Sequence, residues 1–144
     1  MLVKQILAGK ATAGVLTIDP SARVADAVAE LAARRIGALV VSGDGRKAVG
    51  ILSERDVVRE IGRQGAHVLT ERVSSLMTRD VEVATPGESA LSILERMTEG
   101  RFRHMPVEED GALVGLVSLG DVVKARLSEV SMEKDALEAM VAGH

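Results

Sequence analysis

Two short segments of the chain place a hydroxyl and a carboxylate at the same spacing. Gly50-Ile-Leu-Ser53-Glu-Arg-Asp56 is matched by Gly115-Leu-Val-Ser118-Leu-Gly-Asp121, and in each an apolar, strand-like run ends at the serine. An aspartate placed there can accept hydrogen bonds from both hydroxyls of a ribose, while the serine and the N–H groups of a helix start favour a phosphate. The alternative is local, because Ser-x-x-Asp is also a capping box that satisfies a helix N-terminus. The residues leave both interpretations open.

A second candidate is the basic segment Arg101-Phe-Arg-His-Met-Pro106. Arg103 and His104 can face an anion, since a guanidinium offers a fork of donors that suits phosphate. The corresponding residues of the first half of the chain, Gly37 and Ala38, are small enough to let a ligand approach the backbone. The alternative is a solvated helix end whose basic residues complement the helix dipole.

No catalytic or metal-binding constellation accompanies these segments in the sequence. The chain has no cysteine, and His67, His104 and His144 lack the spacing of metal ligands. Glu108-Glu109-Asp110 is interpreted as the charged rim of a hairpin rather than as an acidic metal cluster. Nothing resembles a nucleophile with its base. We therefore expect a protein that is not an enzyme and uses no catalytic cofactor or metal.

Composition restricts the function classes further. Apolar residues make up 47% of the 144 and charged residues 27%, which is enough for a buried core and a solvated surface. The net charge of −3 and the single aromatic residue argue against nucleic-acid binding, although the Arg34-Arg35 pair and the arginines of 101–103 keep it as the weakest hypothesis. No apolar run reaches a membrane span, and the N-terminus does not resemble a signal peptide, so a cytoplasmic location is expected.

The elements that must position these residues occur twice along the chain. Residues 15–58 align with residues 81–123: Pro20 pairs with Pro86 at an offset of 66, and Gly50 pairs with Gly115 at an offset of 65. The single deletion falls at a turn, where a repeat tolerates it. The sequence therefore contains an internal duplication.

Each half is predicted to fold as β-α-β-β-α. Short strands at Val15–Ile18 and Val81–Ala84 each precede an amphipathic helix, and Ser21 and Ser89 are the predicted helix N-caps. The predicted buried faces of the two helices comprise Val24, Ala27, Val28, Leu31 and Ala32 in the first and Leu91, Leu94 and Met97 in the second. Two hairpins follow, 38–41 with 49–52 and 105–107 with 113–117, and the second helices begin near Asp56 and Asp121.

The predicted fold class is mixed α/β (α+β), with two pseudo-symmetric halves packed through their sheets into one module. The chain is divided into an N-terminal lead-in (1–14), the first repeat (15–61), a linker and second lead-in (62–80), the second repeat (81–127) and a C-terminal helical tail (128–144). Val3–Leu7 and Val73–Met77 are similar helical lead-ins, and residues 62–72 are predicted to be a polar loop. The apolar residues between 122 and 141 predict an amphipathic helix that packs against its own module or against a twin.

These repeats resemble tandem CBS domains, known together as a Bateman module, of the stand-alone bacterial type. The resemblance covers about Val3 to Val123 and rests on the two Gly-x-x-Ser-x-x-Asp segments, on Arg101–Pro106 and on the runs Val73-Ser-Ser-Leu-Met-Thr78 and Arg35-Ile-Gly-Ala-Leu-Val40. It implies a regulatory module that binds adenosine nucleotides in the clefts between the repeats.

Site residues are carried over from the resemblance in two sets. One site would use Asp121 for the ribose and Ser118, Arg103 and His104 toward phosphate, with Thr17, Asp19, Gly37 and Ala38 as its wall. The pseudo-symmetric site would use Asp56, Ser53 and Arg55, with Thr85 and the strand Arg103–Met105 opposite. The adenine would lie among aliphatic side chains: Ile36 and Ile51, or Val83 and Leu116. Because Gly37-Ala38 corresponds to Arg103-His104, and Asp19 to Thr85, the two sites are expected to differ in affinity.

The resemblance also implies the ligands and partners. AMP is the first expectation, with ATP, ADP or NAD(H) as further adenosine ligands and S-adenosylmethionine as an alternative. The module would pair into a homodimer through its helices and signal by conformational change to an effector protein outside this chain. The competing hypothesis is a protein-interaction scaffold whose ligand site is vestigial.

Overall fold

The computed structural model describes residues 1–10 and 15–143, and it has the mixed α and β composition predicted from the sequence. The strands are β1 (Thr17–Ile18), β2 (Ala38–Val41), β3 (Gly50–Ser53), β4 (His104–Glu109) and β5 (Ala112–Ser118). In the first sheet, ordered β1-β2-β3, β1 runs parallel to β2 and β2 runs antiparallel to β3. The second sheet is the antiparallel pair β4-β5.

In each half of the chain, one helix precedes the strand hairpin and another follows it. They are α1 (Val3–Ala8), α2 (Val24–Arg34), α3 (Glu54–Gln64), a 3₁₀ turn (Ala66–Thr70), α4 (Val73–Leu76), α5 (Ala90–Gly100) and α6 (Leu119–Ala142). Both predicted lead-ins are helical. The segment 62–72, predicted to be a loop, is largely helical because α3 continues to Gln64 and the 3₁₀ turn inserts the fully buried Val68 into the core.

The two lead-in helices pack on different repeats. Val3 and Ile6 of α1 belong to the core of the second repeat, whereas Val73 and Leu76 of α4 belong to the core of the first, which α4 directly follows. The second core is therefore incomplete without the N-terminal segment of the chain, whereas the first is built from one contiguous stretch, residues 16–77.

Two glycines at equivalent repeat positions make room for this packing. A Cβ on Gly115 would lie 2.6 Å from Leu7 Cδ2, and a Cβ on Gly50 would lie 2.7 Å from the Thr78 carbonyl oxygen. At Gly50 the obstacle is backbone, since Ile51 and Thr78 exchange hydrogen bonds of 3.0 and 2.8 Å between their main chains. Glycine at these positions lets the lead-in segments lie directly against β3 and β5.

Several local predictions need correction. Ser21 is not a helix cap, because α2 begins only at Val24 after Arg23, and Ser21 instead donates to Asp19 Oδ1. Ser89 does cap α5, its Oγ accepting from the Ser92 N–H at 3.1 Å. The predicted strand 81–84 is reduced to one parallel bridge at Ala84. In the first repeat the Val40 N–H donates to the Leu16 carbonyl, but the equivalent residue of the second repeat is Pro106, which has no N–H to donate.

The buried faces of the first helices are also shifted. In α5 the buried residues are Ala90, Ile93 and Met97, and Leu91 is 43% exposed. In α2 the equivalent face is Val24, Ala27 and Leu31, while Ala32 is exposed. The i, i+3, i+7 spacing is common to both helices. The prediction for α5 is confirmed at Met97, and Leu94 is partly buried against the same core, so the prediction was wrong at Leu91.

Helix α6 leaves the core after its second turn. Val122 and Ala125 are its buried residues, and Leu127 is already 66% exposed. The predicted segment therefore packs against its own module only at its start, and the residues from Val130 onward are exposed. Packing of this exposed part against a twin remains a prediction. Within residues 1–10 and 15–143, no helix is both long and apolar enough to cross a membrane.

Candidate ligand-binding clefts

Two cavities lie between the repeats, and each takes residues from both halves of the chain. One, of about 570 Å³, contains Asp121 and is called the Asp121 cleft; the other, of about 590 Å³, contains Asp56 and is called the Asp56 cleft. Volumes of this order suit small-molecule ligands. His104 and Gly37 border both clefts.

In the Asp121 cleft, the aspartate is held by a capping box at the start of α6. Ser118 Oγ accepts from the Asp121 N–H at 3.1 Å, and Asp121 Oδ2 accepts from the Ser118 N–H at 2.9 Å. Lys10 Nζ donates to the same Oδ2 at 2.8 Å and to the Leu116 carbonyl at 2.9 Å. Among the described residues no donor reaches Oδ1, so this oxygen retains its capacity to accept hydrogen bonds.

The electrostatic surroundings keep Asp121 ionised. Burial alone would raise the pKa of its carboxyl, but the hydrogen bond and charge of Lys10 and the hydrogen bonds from Ser118 outweigh burial and lower this pKa below its ordinary value. The side chain is only partly buried, with 26% of its surface exposed. A negatively charged acceptor is therefore presented to the cavity.

In the Asp56 cleft, the corresponding carboxylate is fully engaged by protein groups. Asp56 Oδ2 accepts from the N–H and the Oγ of Ser53, both at 3.0 Å, and Oδ1 accepts from Arg59 Nη2 at 3.0 Å. Asp56 is only 6% exposed. The two aspartates, equivalent in the repeat, thus differ in how much of their accepting capacity remains.

His104 stands at the start of β4, where the clefts meet. A Cβ on Gly37 would lie 3.6 Å from His104 Nε2, so the backbone of the first repeat passes close to the imidazole. Burial lowers the pKa of His104; Asp121 and Glu54 oppose this effect, and Lys10 and Arg103 add to it. At neutral pH the imidazole is therefore neutral and can donate one hydrogen bond and accept one.

The lowered pKa of His104 predicts that stability falls at acid pH. The unfolded chain binds a proton at the ordinary histidine pKa of 6.5, above the folded value, so stability is complete above that pH and decreases as the pH falls through the folded pKa. Melting temperatures should be measured above pH 6.5 and at a series of lower pH values. As the pH is lowered, the melting temperature should fall more steeply for the wild type than for His104→Gln. The exposed His67 provides the control, because His67→Gln should retain the wild-type dependence; equal slopes for all three proteins would contradict the assignment.

The structure brings most of the sequence-predicted site residues into the two clefts. Those lining the Asp121 cleft are Asp121, Ser118, His104, Gly37 and Ala38. Those lining the Asp56 cleft are Asp56, Ser53, Arg55, Arg103, His104 and Gly37. Arg103, which directly precedes β4, therefore borders the Asp56 cleft and not the Asp121 cleft, whereas its neighbour His104 borders both.

Four predicted residues are not among those lining either cleft. Met105 is fully buried in the core of the second repeat, and Thr17 is exposed on β1. Asp19 accepts from the backbone and the hydroxyl of Ser21, which lower the pKa of its carboxyl. The Thr85 N–H donates to Glu88 Oε2 at 2.7 Å. Of the aliphatic residues expected around an adenine, Ile36 and Leu116 line the Asp121 cleft, Ile51 lines the Asp56 cleft and Val83 lines neither.

Sequence reasoning missed Lys10, the residue bonded to Asp121. Aligning the lead-in Val3–Leu7 with Val73–Met77 and extending it by three residues pairs Lys10 with Asp80, and both line their respective clefts. The similarity of the two lead-in segments was therefore the sequence signal that could have identified Lys10 as a cleft residue. Other lining residues that were not predicted include Leu7, Val15, Leu16 and Arg35 in the Asp121 cleft and Arg59, Thr78, Arg101 and Phe102 in the Asp56 cleft.

Comparison with known proteins identifies the repeat unit. The CBS domain matches residues 3–63 and 73–128. A CBS-domain containing protein from Agrobacterium tumefaciens has 43% sequence identity and a TM-score of 0.81, covering 88% of this chain and 99% of that one. The mitochondrial CBS domain-containing protein CBSX3 of Arabidopsis thaliana is 37% identical over 124 residues, 83% of this chain. The chain spans 60% of the length of that relative.

Two further solved structures share the fold and hold ligands. The CBS domain protein PAE2072 from Pyrobaculum aerophilum, complexed with AMP, has 21% identity, a TM-score of 0.76 and coverage of 92% of this chain and 99% of that one. The CBS domain pair of protein MJ0100, in complex with 5′-methylthioadenosine and S-adenosyl-L-methionine, has 23% identity, a TM-score of 0.77 and coverage of 90% and 98%. Matched domains over both repeats, together with the shared fold, place this chain in the CBS domain family as a tandem pair.

Proposed function

We propose that this protein is a regulatory module that binds an adenosine-containing ligand in the Asp121 cleft. The observation that carries the proposal is the half-satisfied Asp121 carboxylate at the edge of a cavity of about 570 Å³. Oδ2 is used by the capping box and by Lys10, and Oδ1 remains to accept from ribose hydroxyls. The capping and ribose interpretations of Ser118 and Asp121 are therefore compatible, since each uses a different oxygen.

The rest of the Asp121 cleft suits the other parts of such a ligand. Its wall is largely aliphatic, with Leu16, Ile36 and Leu116 available to pack on the faces of an adenine without aromatic stacking. Lys10 and Arg35 supply two positive charges against the single negative charge of Asp121. An excess of positive charge favours a ligand that carries phosphate.

The positive charge of the cleft ranks the candidate ligands by how well they should bind. AMP is the first candidate, and ADP, ATP and NAD(H) share its adenosine and phosphate groups. S-adenosylmethionine is an alternative with the same adenosine but a cationic sulfonium, which the basic lining suits less well. The AMP complex of the Pyrobaculum protein and the methylthioadenosine and S-adenosylmethionine complex of MJ0100 support an adenosine ligand in general.

The proposed output is a change of conformation that an effector protein or a second copy of the module senses. Such a shift requires that the ligand bind two states with different affinities. Asp121 lies in the first turn of α6, Gly37 and Ala38 lie in the opposite repeat, and Lys10 lies in the segment after α1. A ligand that contacts all three would alter how the repeats sit against one another.

The competing function is a protein-interaction scaffold without a working ligand site. The full engagement of Asp56 by Ser53 and Arg59 favours it for one of the two clefts, because there the carboxylate has only a structural role. We propose that the Asp56 cleft is the weaker site for this reason.

A ligand screen by thermal unfolding tests the proposal. The purified protein is melted with AMP, ADP, ATP, NAD(H) and S-adenosylmethionine, with dye or calorimetric detection because the chain has no tryptophan or tyrosine. At a ligand concentration about 100 times Kd, linkage predicts roughly 2.7 kcal/mol of stabilisation, or several degrees in Tm. A selective rise supports the sensor; a folded protein that responds to none of them would overturn it in favour of the scaffold.

A further inference from the structure

The second half of α6 projects from the module with no partner among the described residues. Every residue from Val130 to Gly143 is exposed. Beyond Glu129, which pairs with the amino group of Met1, the helix therefore has no contact with the described part of its own module. An isolated helical stretch of this length is only marginally stable in water, so such a segment is normally stabilised by an apolar face that packs on something.

An apolar seam runs along this projecting helix. Its positions are spaced alternately by four and three residues: Val123, Leu127, Val130, Lys134, Leu137 and Val141. Alternating spacing of this kind is the heptad pattern of a coiled coil, with the seam residues at its a and d positions. The apolar members are all exposed, from 38% at Val123 to 76% at Val141. Most of the seam lies beyond residue 128, where the match to the CBS domain ends.

We propose that this seam pairs with the same seam of a second copy of the chain, the two α6 helices running antiparallel. With Val123 opposite Val141 of the partner subunit, Leu127 lies opposite the partner's Leu137, and Val130 lies opposite the partner's Lys134. This register fills every layer with at least one apolar side chain. Val123 stands where α6 emerges from the module, so the seam begins at the module surface and each module caps the end of the other helix.

Charges beside the seam select the antiparallel direction. In that register Lys124 faces the partner's Glu138, and this attraction occurs twice in the dimer. A parallel pair would instead place Lys134 against the partner's Lys134 and Glu133 against the partner's Glu138. Both of those contacts are between like charges, which disfavours the parallel arrangement.

The position of Lys134 fits the same geometry. Close to the two-fold axis, Glu133 faces the partner's Glu133, and the Lys134 side chains of both helices lie beside this pair and offset its repulsion. The single basic residue in the seam therefore has acidic neighbours, among them Glu138 of its own helix at 3.7 Å. A polar residue at one seam position commonly sets register and oligomeric state at some cost in stability. None of the seam residues lines either cleft, so the pairing is independent of the proposed ligand.

Cysteine cross-linking tests the pairing and its direction, since the chain has no native cysteine. Ser131 flanks the seam next to the proposed two-fold axis, so Ser131→Cys should give a covalent dimer under mild oxidation. Ala139→Cys, on the face away from the seam, is the matched control and should remain uncoupled. Adding Leu137→Glu to Ser131→Cys should abolish the cross-link. Failure of Ser131→Cys to cross-link, or cross-linking that Leu137→Glu leaves unchanged, would overturn the proposal.

Charge reversal provides an independent readout of direction by sedimentation equilibrium of the full chain. Glu138→Lys should weaken association, roughly tenfold, because it sets Lys124 against the partner's new lysine, and adding Lys124→Glu should restore it. In a parallel pair, Glu138→Lys would strengthen association by facing the partner's Glu133. Strengthening, or association that neither change affects, would contradict antiparallel pairing.

Discussion

Replacing Asp121 with alanine is expected to weaken AMP binding by roughly tenfold to hundredfold while the protein remains folded. Hydrogen bonds to a charged acceptor contribute about 1.5–3 kcal/mol, which converts to a loss of this size in affinity. Isothermal calorimetry at neutral pH, where the lowered pKa keeps this carboxyl ionised, measures the effect directly. Asp121→Asn should show a similar loss, since it keeps the shape but removes the charge.

Asp56→Ala is the matched control for this experiment. Both aspartates occupy the third position of a capping box, so both variants lose the return bond to their serine, at a cost of about 0.5–2 kcal/mol in stability. Only Asp121→Ala should also lose affinity for AMP. If the two variants lose similar stability and both bind AMP as tightly as the wild type does, Asp121 has a capping role only. That outcome would support the scaffold hypothesis.

The Ile93→Ala substitution is expected to have the largest effect on folding among the changes considered, about 2–5 kcal/mol of unfolding free energy. Ile93 is fully buried in the core of the second repeat, where α1 from the other end of the chain also packs. Deleting its side chain leaves a cavity between α5 and the strands. Urea unfolding followed by circular dichroism gives the free-energy change without needing an aromatic probe.

Leu91→Ala, on the same helix, provides the comparison. The sequence pattern placed Leu91 on the buried face, but it is 43% exposed, so its removal should change stability by no more than about 0.5 kcal/mol. A loss at Leu91 equal to that at Ile93 would restore the sequence-based phase of α5 and contradict the structure.

Most of the local architecture could be predicted because it depends on short-range chemistry. The hairpins and both capping boxes follow from residues within a few positions of one another, and the structure confirms them. The wrong predictions are those that depend on phase or on distant partners. The residues around Ser21 do not by themselves exclude it as a helix cap. Which residues of α5 are buried depends on which side of the helix meets the core.

The same distinction applies to the candidate site. The sequence by itself determined which residue types are available: two serine–aspartate pairs at helix starts, a basic segment and almost no aromatic residues. The tertiary structure decided where these residues lie relative to one another. It brought Lys10 onto Asp121 from 111 residues away and placed His104 where both clefts meet. The Lys10–Asp121 contact depends on the packing of α1 against the second repeat. No local pattern encodes it, because the two residues meet only when the N-terminal segment has folded onto that repeat.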